Sequence, residues 1–413
     1  MIRRIELDRF SDRVSEHLFG HILPFWCGPA VDHKNGGWMA WLTNDLQLDR
    51  ARPKGLIVNS RILWAFSAVY RHRPEALYRQ MADRAYEYVM NRFWDPQHGG
   101  AYWRLDDQGR MTNDSKKIYG QAFYIYALTE FHRAFNSPAA LERAKELFRL
   151  VERHAHDEKF GGYVEVCNHD WTVADTGARL SERDMSEKKS MNNHLHVLEA
   201  YTNLHRVWKE PLVATRLREL IDLFLTRILD PQTNHFHHFF NEEWQIRSDT
   251  YTFGHDIEGS WLLCEAAGEL GDDALLQRVQ DTALQIAKTA FDEGFGADGS
   301  LFYEGKAGKI IDSGRECWPQ AEALVGFINA YQISQDEKFL NAALQVWDFI
   351  NRHIVDRVYG EWFWRIQANG KPDPSLPKVS EWKGPYHGTR ACLETLHRLK
   401  AFATTFSTTD EHR

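Results

Sequence analysis

The segment Ser190-MNNHLHVLEAY combines an amide and two imidazoles within a helical pattern. Asn192 and His196 are four residues apart and share one helical face, whereas His194 lies on a different face. The two-residue spacing of His194 and His196 does not suit a metal ion on a regular helix, where three or four is usual. Either this face binds a ligand, or both histidines only complete hydrogen bonds at the start of a helix.

A second candidate is the segment Phe253-GHDIEGSWLL, in which His255 precedes Glu258 by three residues. A carboxylate at that spacing can hold the imidazole in one tautomer and raise its basicity, which is the arrangement of a general base. The alternative is structural, because Asp256 and Glu258 would also stabilise the positive end of a helix dipole. The sequence alone leaves both interpretations open.

Further polar and aromatic side chains occupy positions that favour a ligand site. Trp318 and Glu322 are one helical turn apart, and Trp382 and His387 lie in a loop rich in Gly and Pro that enters a helix. Loops carry function more often than cores do. Arg61 lies in an otherwise apolar helix, where a buried guanidinium needs a partner or an oxygen-rich ligand. An exposed position on the outer face is the alternative for Arg61.

Together these residue types favour proton transfer next to a carbonyl group. If the segments converge, they offer three imidazoles, two carboxylates, one guanidinium, one amide and two indoles. Histidine titrates near neutral pH and can remove a proton from C2 of an open-chain sugar while Arg or Asn polarises the adjacent oxygen. The chain has no nucleophile elbow, phosphate-binding glycine loop or zinc motif, which argues against acyl transfer, phosphoryl transfer and metallohydrolase chemistry.

A turn motif that recurs six times predicts the elements that position these side chains. Each copy places an Asp before Gly, His or aromatic residues, and the copies begin at Asp32, Asp95, Asp157, Asp230, Asp292 and Asp356. Between them, apolar residues at three-and-four spacing predict helices at 59–71, 139–154, 193–208, 258–270 and 321–331. A fixed number of helix pairs favours a closed ring over an open solenoid.

The repeats therefore predict an all-α fold, an (α/α)6 barrel of six helical hairpins with short β-hairpins or loops at one rim. No linker rich in Pro, Gly or Ser interrupts the series, so we expect residues 1–413 to form a single catalytic domain. Charges interrupt the apolar residues of the N-terminal segment, which predicts an amphipathic helix and no export signal.

Composition limits the possible partners and the compartment. The net charge of −8 is spread along the chain without a basic block, which argues against nucleic acid and anionic membranes as main partners. No apolar tract of membrane-spanning length occurs, so we expect a soluble protein. The five cysteines are an odd number without a CxxC pair, which favours a reducing cytoplasm over a disulfide framework or a zinc site.

In combination, the motifs resemble the N-acylglucosamine 2-epimerase superfamily, and most closely its cellobiose 2-epimerase branch. The resemblance extends over nearly the whole chain, and the combination is far more specific than any single motif. The matching segments are Val58-NSRILWAF, Ile118-YGQAFYIYAL, Ser190-MNNHLHVLEAY, Phe253-GHDIEGSWLL, Trp318-PQAEALVGF, Gly360-EWFWRI and Trp382-KGPYHGTRACLE.

The resemblance implies an (α/α)6 barrel in which His255 and His387 form the acid/base pair at C2 of a sugar, with Glu258 tuning His255. It further implies groups that bind O1 and O2 and assist ring opening: His196, Asn192 and Arg61. It also implies residues in or beside the sugar site: Trp318, Trp382, Glu322, Tyr119 and Trp261, with Trp362 near an outer subsite. A second, β-1,4-linked sugar would stack there on an aromatic ring. No metal or other cofactor is implied.

One departure concerns substrate size. The branch usually has two consecutive tryptophans before Pro-Gln-Ala-Glu, and here the first is Cys317. A thiol in place of an indole opens volume or removes a stacking surface, unless neighbouring residues absorb the change.

The sequence therefore predicts epimerisation of disaccharides such as cellobiose or lactose, in a monomer or weak homodimer. Mannose 2-epimerisation and mannose–fructose isomerisation are alternatives that use the same histidines. A glycoside hydrolase, which would need two opposed carboxylates, and a non-catalytic sugar-binding protein are alternatives of other classes.

Overall fold

Six inner helices form a closed ring. The structure, a computed structural model, describes the backbone of residues 2–410 and the side chains of residues 6–401. Each inner helix packs against the next one, and the last packs against the first. The inner helices are α3 (Leu56–His72), α5 (Ile118–Phe135), α7 (Met191–Val207), α9 (Phe253–Leu270), α11 (Cys317–Ser334) and α13 (Tyr386–Asp410).

The remaining helices lie outside this ring, and the arrangement confirms the predicted (α/α)6 barrel. They are α1 (Ile2–His17), α2 (Leu23–Cys27), α4 (Ala76–Tyr88), α6 (Pro138–His154), α8 (Pro211–Leu223), α10 (Asp273–Gly294) and α12 (Glu337–Phe349). A π-helical turn, Leu18–Ile22, joins α1 to α2, and similar turns end three outer helices at Val89–Phe93, Phe224–Ile228 and Ile350–Ile354. The N-terminal helix predicted from the sequence is α1, and its first side chains fall outside the described ones.

The contrast between inner and outer helices follows from their apolar patterns. In α5 every residue from Ile118 to Phe131 is buried, because this helix contacts neighbours on all sides. In α6 the buried residues recur at three- and four-residue intervals, from Ala140 to Val151. A helix that is apolar around its circumference needs burial, whereas an apolar stripe covers only one face of a core.

Short antiparallel strands mark one rim of the barrel. They pair as β1–β2–β3, β4–β5, β6–β7, β8–β9–β10 and β11–β12. Their bounds are β1 Lys54–Gly55, β2 Arg104–Leu105, β3 Met111–Asn113, β4 Lys116–Lys117, β5 Val166–Cys167, β6 Lys189–Ser190, β7 Phe239–Phe240, β8 Tyr251–Thr252, β9 Glu304–Lys306, β10 Lys309–Asp312, β11 Arg315–Glu316 and β12 Arg365–Ile366. Five strands lead directly into an inner helix, so the amino ends of α3, α5, α7, α9 and α11 lie at this rim.

Five of the six predicted turn markers lie in turns of one design. In the first copy, Asp32 accepts hydrogen bonds from the backbone N–H of Lys34 and Asn35, both at 3.1 Å. The Nζ of Lys54 donates to the same carboxylate at 2.9 Å and to the carbonyl of Gly36 at 2.8 Å. Equivalent buried pairs are Lys116–Asp95, Lys189–Asp157 and Lys378–Asp356. Each lysine lies in the segment that precedes an inner helix, and its ion pair connects that segment to a turn.

The predicted position of the fifth turn marker, Asp292, is wrong. Asp292 lies in α10, and the turn itself runs from Phe295 to Leu301, which are joined by a β-bridge as in the other copies. Gly296 takes the place of the usual Asp, while Asp298 in the same turn pairs with Arg315 at 2.8 Å. The marker was misplaced because Asp292 precedes Gly296 by four residues, the spacing of Asp32 and Gly36 in the first copy, although Asp292 still belongs to α10.

These buried pairs give a stability prediction. The Lys116→Met variant should lose about 3–5 kcal/mol of unfolding free energy, because it leaves the carboxylate of Asp95, 3 % exposed, without its cation. Urea denaturation followed by circular dichroism measures the loss. Lys288→Met is the matched control, since its pair with Asp292 is half exposed, and we expect a change within about 0.5 kcal/mol. Equal stability of both variants would contradict a structural role for the buried pairs.

No helix in the described part of the chain is both long and apolar enough to cross a membrane.

Candidate active site

A cavity of about 580 Å³ opens where the inner helices begin. Ten of the twelve side chains predicted from the sequence line it: Arg61, Tyr119, Asn192, His196, His255, Glu258, Trp318, Trp362, Trp382 and His387. Most of them lie in the first two turns of an inner helix, so the positive ends of the helix dipoles surround the cavity. This arrangement favours the binding of an anionic or partly anionic group.

Two of the cavity histidines are held by carboxylates. The Nδ1 of His196 lies 2.9 Å from Glu199, one helical turn along α7, and the Nδ1 of His387 lies 2.7 Å from Glu322 on the neighbouring α11. A carboxylate at Nδ1 fixes the ring orientation and leaves Nε2 available to a ligand. Both histidines therefore have the geometry of an acid or base.

The expected hydrogen bond between Glu258 and His255 is wrong. The Nδ1 of His255 lies 2.6 Å from the hydroxyl oxygen of Thr252, while Glu258 accepts a hydrogen bond from Arg390 at 2.5 Å. The physical reason is competition, because a buried guanidinium is a stronger partner for a carboxylate than a neutral imidazole is. The pattern expected for His255 occurs instead at His196 and Glu199, which have the same three-residue spacing.

Arg390 is the centre of a buried network behind the cavity. It is 1 % exposed and donates to three carboxylates, namely Glu199, Glu258 at 2.5 Å and Glu322 at 2.8 Å. It also donates to the hydroxyl of Tyr386 at 2.5 Å. A single guanidinium thus connects the carboxylates that hold His196 and His387.

The three carboxylates that contact Arg390 differ in pKa. Burial alone would raise the pKa of Glu199, but the charge of Arg390 and a hydrogen bond from His196 lower it to about 2. Burial, and then the charge of Glu322, raise the pKa of Glu258 to about 7, and burial also raises the pKa of Glu322. Near neutral pH, Glu199 is ionised, and Glu258 can exchange a proton.

Burial also affects the histidines. It lowers the pKa of His255 and of His387 well below the usual value; neighbouring histidines add to the effect at His255, and the guanidinium groups of Arg61 and Arg390 add to it at His387. A histidine with a lowered pKa is neutral near pH 7 and can accept a proton. Both rings contact the indole of Trp318, with centroid distances of 4.7 and 5.8 Å. Two neutral imidazoles therefore line one cavity around a shared aromatic surface.

Arg61 is a buried cation without an ion pair among the described residues. It is 4 % exposed, its Nη2 donates to the hydroxyl of Tyr119 at 3.0 Å, and its Nε has no partner. Its guanidinium packs on the rings of Phe123 and Tyr386, at 4.3 and 4.9 Å. The side-chain oxygen of Asn192, also at the cavity, has no partner either. Buried polar groups without partners at a cavity are poised for a polar ligand.

The two remaining predicted residues lie behind the cavity surface. The indole N–H of Trp261 donates to Glu322 at 3.2 Å, and Glu322 holds His387. These residues support the histidine without lining the cavity.

The aromatic wall differs in part from the expectation. Trp362 reaches the cavity but is only 2 % exposed, because its indole N–H donates to His17 at 2.8 Å. Trp364 and Trp41 also line the cavity and are more exposed, so they offer larger aromatic surfaces. Cys317, 5 % exposed, lies at the start of α11, and its N–H donates to the carbonyl of Trp364.

His194 has a structural role, which the sequence had left open. It is fully buried, its Nδ1 lies 2.6 Å from the carbonyl of Ser190, and its Nε2 accepts from the N–H of Tyr163 at 2.8 Å. Both ring nitrogens are therefore occupied, and the structure separates His194 from the ligand-facing His196.

Sequence reasoning missed Arg390, Glu199 and Thr252. The spacing signal was present, since Glu199 follows His196, and Arg390 follows His387, by three residues. Thr252 precedes its histidine by the same interval at the end of a strand. Further cavity residues that were missed are Arg104, Ser181, Glu182, Arg183, Asp184, Tyr303, Glu316, Glu361, Glu381 and Lys383.

Glu258, Glu322 and His387 offer potential metal ligands within 4.8 Å of one another. Arg390, however, donates to both carboxylates from one nitrogen, at 2.5 and 2.8 Å. A cation would have to displace this guanidinium, so the donor set fits a resident metal ion poorly.

Comparison with known proteins identifies the same family that the sequence motifs resemble. A family model described as N-acylglucosamine 2-epimerase matches residues 37–391. The cellobiose 2-epimerase of Bacteroides fragilis is 42 % identical over 388 residues, which are 94 % of this chain and 98 % of that one. The cellobiose 2-epimerase of Dictyoglomus turgidum is 37 % identical, over 96 % of this chain and all of its own. The structure of the cellobiose 2-epimerase of Bacillus thermoamylovorans superimposes with a TM-score of 0.90 at 40 % identity, over 95 % of this chain and 100 % of that one.

Proposed function

Because the chain belongs to the N-acylglucosamine 2-epimerase family, we propose that this isomerase interconverts glucose and mannose at the reducing end of β-1,4-linked disaccharides. Cellobiose would give glucosyl-mannose, and lactose would give epilactose. Relatives at this identity, matched over nearly their whole length, are cellobiose 2-epimerases, which supports the choice of substrate class.

The reaction begins with opening of the reducing-end ring, because the C2 proton is acidic only next to the free aldehyde. We assign Arg61, Asn192 and His196 to the binding of O1 and O2. The unpartnered Nε–H of Arg61 can stabilise negative charge on a sugar oxygen, and the unpartnered side-chain oxygen of Asn192 can accept a hydrogen bond from a sugar hydroxyl. His196, with Glu199 behind it, is also suited to assist the opening of the ring. These roles rest on the positions of the three side chains at one cavity.

The C2 step uses the two cavity imidazoles, which are neutral in the free protein and of which one takes up a proton from solvent before the step. One of them, His255 or His387, takes the proton from C2, and the electron pair of the C–H bond forms a C1=C2 double bond with negative charge on O1. Arg61 stabilises this cis-enediolate. The other imidazole, protonated in the substrate complex, donates its proton to the opposite face of C2, which inverts the centre and leaves the first imidazole carrying the proton taken from C2. A proton delivered to C1 instead would give a ketose.

A single observation carries the proposal: two histidines that are neutral in the free protein line one cavity with the guanidinium of Arg61, which has no ion pair among the described residues. A glycoside hydrolase would need an opposed pair of carboxylates beside the substrate. Here Glu199 and Glu322 are held behind the histidines, and both contact Arg390. Four carboxylates at the cavity itself are each paired with an Arg or Lys side chain: Glu258, Glu316, Glu361 and Glu381.

The wall near Cys317 is the place for the second sugar. The cavity volume of about 580 Å³ lies in the range of small-molecule sites. Because Cys317 is small, the indole of Trp364 is the aromatic surface available beside it, and we assign the stacking of the outer sugar to Trp364 in place of Trp362.

The protein, first dialysed against EDTA, should convert cellobiose to glucosyl-mannose in heavy water, with deuterium at C2 detected by NMR. Activity should equal that of the untreated protein within about twofold, since the chemistry assigned to the side chains needs no metal ion. Turnover of mannose alone would favour a mannose 2-epimerase or mannose–fructose isomerase, and release of glucose would favour a hydrolase. Sugar binding without turnover would contradict catalysis, and loss of activity restored by a metal ion would contradict metal independence.

Two coarser features belong to the same proposal. The five cysteines are free, which supports a reducing compartment such as the cytoplasm. The expected assembly, a monomer or weak homodimer, rests on the likeness to the family.

A further inference from the structure

The hydroxyl of Thr252 contacts His255 and leaves the helix end uncapped. Thr252 is the residue before α9, a position where a threonine side chain usually accepts a backbone N–H. Here its side chain makes no capping hydrogen bond and instead lies 2.6 Å from the Nδ1 of His255. The hydroxyl of Thr252 therefore contacts His255 at the cavity and does not cap α9.

His238 determines which way this hydroxyl points. The backbone N–H of Thr252 donates to the Nε2 of His238 at 3.3 Å, so that nitrogen must carry a lone pair. Burial lowers the pKa of His238 to about 4, which keeps the ring neutral with its proton on Nδ1. The same Nε2 lies 3.5 Å from the hydroxyl oxygen of Thr252, so its single lone pair can be shared between the backbone N–H and the hydroxyl of Thr252.

The three groups form a directed chain. If the hydroxyl of Thr252 donates to His238, its oxygen accepts from the Nδ1–H of His255. The proton of neutral His255 is then on Nδ1, and its Nε2 is bare. This is the tautomer that a base needs when Nε2 is the atom directed to substrate.

We propose that Thr252 and His238 are positioning residues that fix His255 in the Nδ1–H tautomer and thereby prepare its Nε2 to accept a proton. The tautomer follows from donation of the Thr252 hydroxyl to His238, and its use at C2 rests on the proposed function. His255 is backed by a neutral hydroxyl, whereas His387 is backed by the carboxylate of Glu322. A carboxylate stabilises the imidazolium more than a hydroxyl does, so His255 returns its proton more readily.

The direct test is the protonation state of His255, measured by NMR of protein with ¹⁵N-labelled histidine. The signal is assigned by its absence in the His255→Gln variant. The unchanged protein should show His255 with the proton on Nδ1, and Thr252→Val should show loss of this single tautomer. A wild-type His255 protonated on Nε2 would overturn the proposal.

Kinetics provide the second readout. Thr252→Val should lower kcat on cellobiose by about 10- to 100-fold with KM within about twofold, and Thr252→Ser should restore most of the rate. His238→Leu should behave like Thr252→Val. Thr202→Val is the matched control, because its buried hydroxyl contacts only the carbonyl of Leu198. A Thr252→Val enzyme with unchanged kcat and tautomer would overturn the proposal.

The NMR and kinetic measurements distinguish failure of the proposed function from failure of the tautomer proposal. If the unchanged protein turns over no sugar, the proposed function fails, while the NMR measurement still decides the tautomer. If Thr252→Val does not fold, the Ser variant and the tautomer of the unchanged protein still decide.

Discussion

Arg390→Met is expected to lower kcat on cellobiose by more than about 100-fold and stability by about 3–5 kcal/mol. The change removes the only cation that contacts Glu199, Glu258 and Glu322 together, within the described residues. Three buried carboxylates would then repel one another, and their pKa values would rise until some of them took up protons. A protonated Glu199 or Glu322 no longer supports an imidazolium, so both carboxylate-held histidines lose their tuning.

Steady-state kinetics and urea denaturation measure the two effects. Arg398→Met is the matched control, because Arg398 lies two turns further along α13 and donates to Asn329 and Gln332, away from the cavity. We expect the control to keep its activity. An Arg390→Met enzyme with normal kcat would show that the network behind the histidines does not affect the reaction.

His255→Asn and His387→Asn are each expected to reduce epimerisation by about 10²- to 10⁴-fold, the usual contribution of a general acid or base. Inversion at C2 needs a proton donor and an acceptor on opposite faces, so neither histidine can replace the other. Binding should change less, because Arg61 and Asn192 remain in place. Rates of product formation and KM measure the difference.

His169→Asn is the control for these variants, since this exposed histidine lies outside the cavity. A loss of activity in only one of the two cavity variants would contradict a two-histidine mechanism and would favour a single group that serves both faces.

The fold was predictable because the repeated turns and the apolar spacing between them specify its helices. The turn copies and the apolar spacing between them determine helix number and order, and five predicted helices lie within α3, α6, α7, α9 and α11, with at most one residue beyond a helix end. The inner helices begin earlier than predicted in most cases. Three of them, α3, α5 and α11, start directly after a strand without a side-chain cap, and the residue before α9, Thr252, is of a capping type but does not cap the helix.

The site residues were predictable, but their partners were not. His196, His255 and His387 all line the cavity, as expected. Spacing alone paired His255 with Glu258, and tertiary contact with Arg390 changed that pairing. Arg390 comes from the last helix and Glu258 from the fourth inner helix, so ring closure decides the contact. The preference between Trp362 and Trp364 likewise depends on His17, a distant residue in sequence.

Hydrogen exchange at C2 in the two histidine variants tests the central claim most directly. Each variant is incubated with cellobiose, and separately with glucosyl-mannose, in heavy water, and C2 deuterium is measured by NMR. If His255 and His387 act on opposite faces, each variant should exchange C2 of only one epimer, without inversion, and the two variants should exchange different epimers. Exchange of both epimers by one variant, or of the same epimer by both, would contradict the assignment of the two histidines as the acid/base pair.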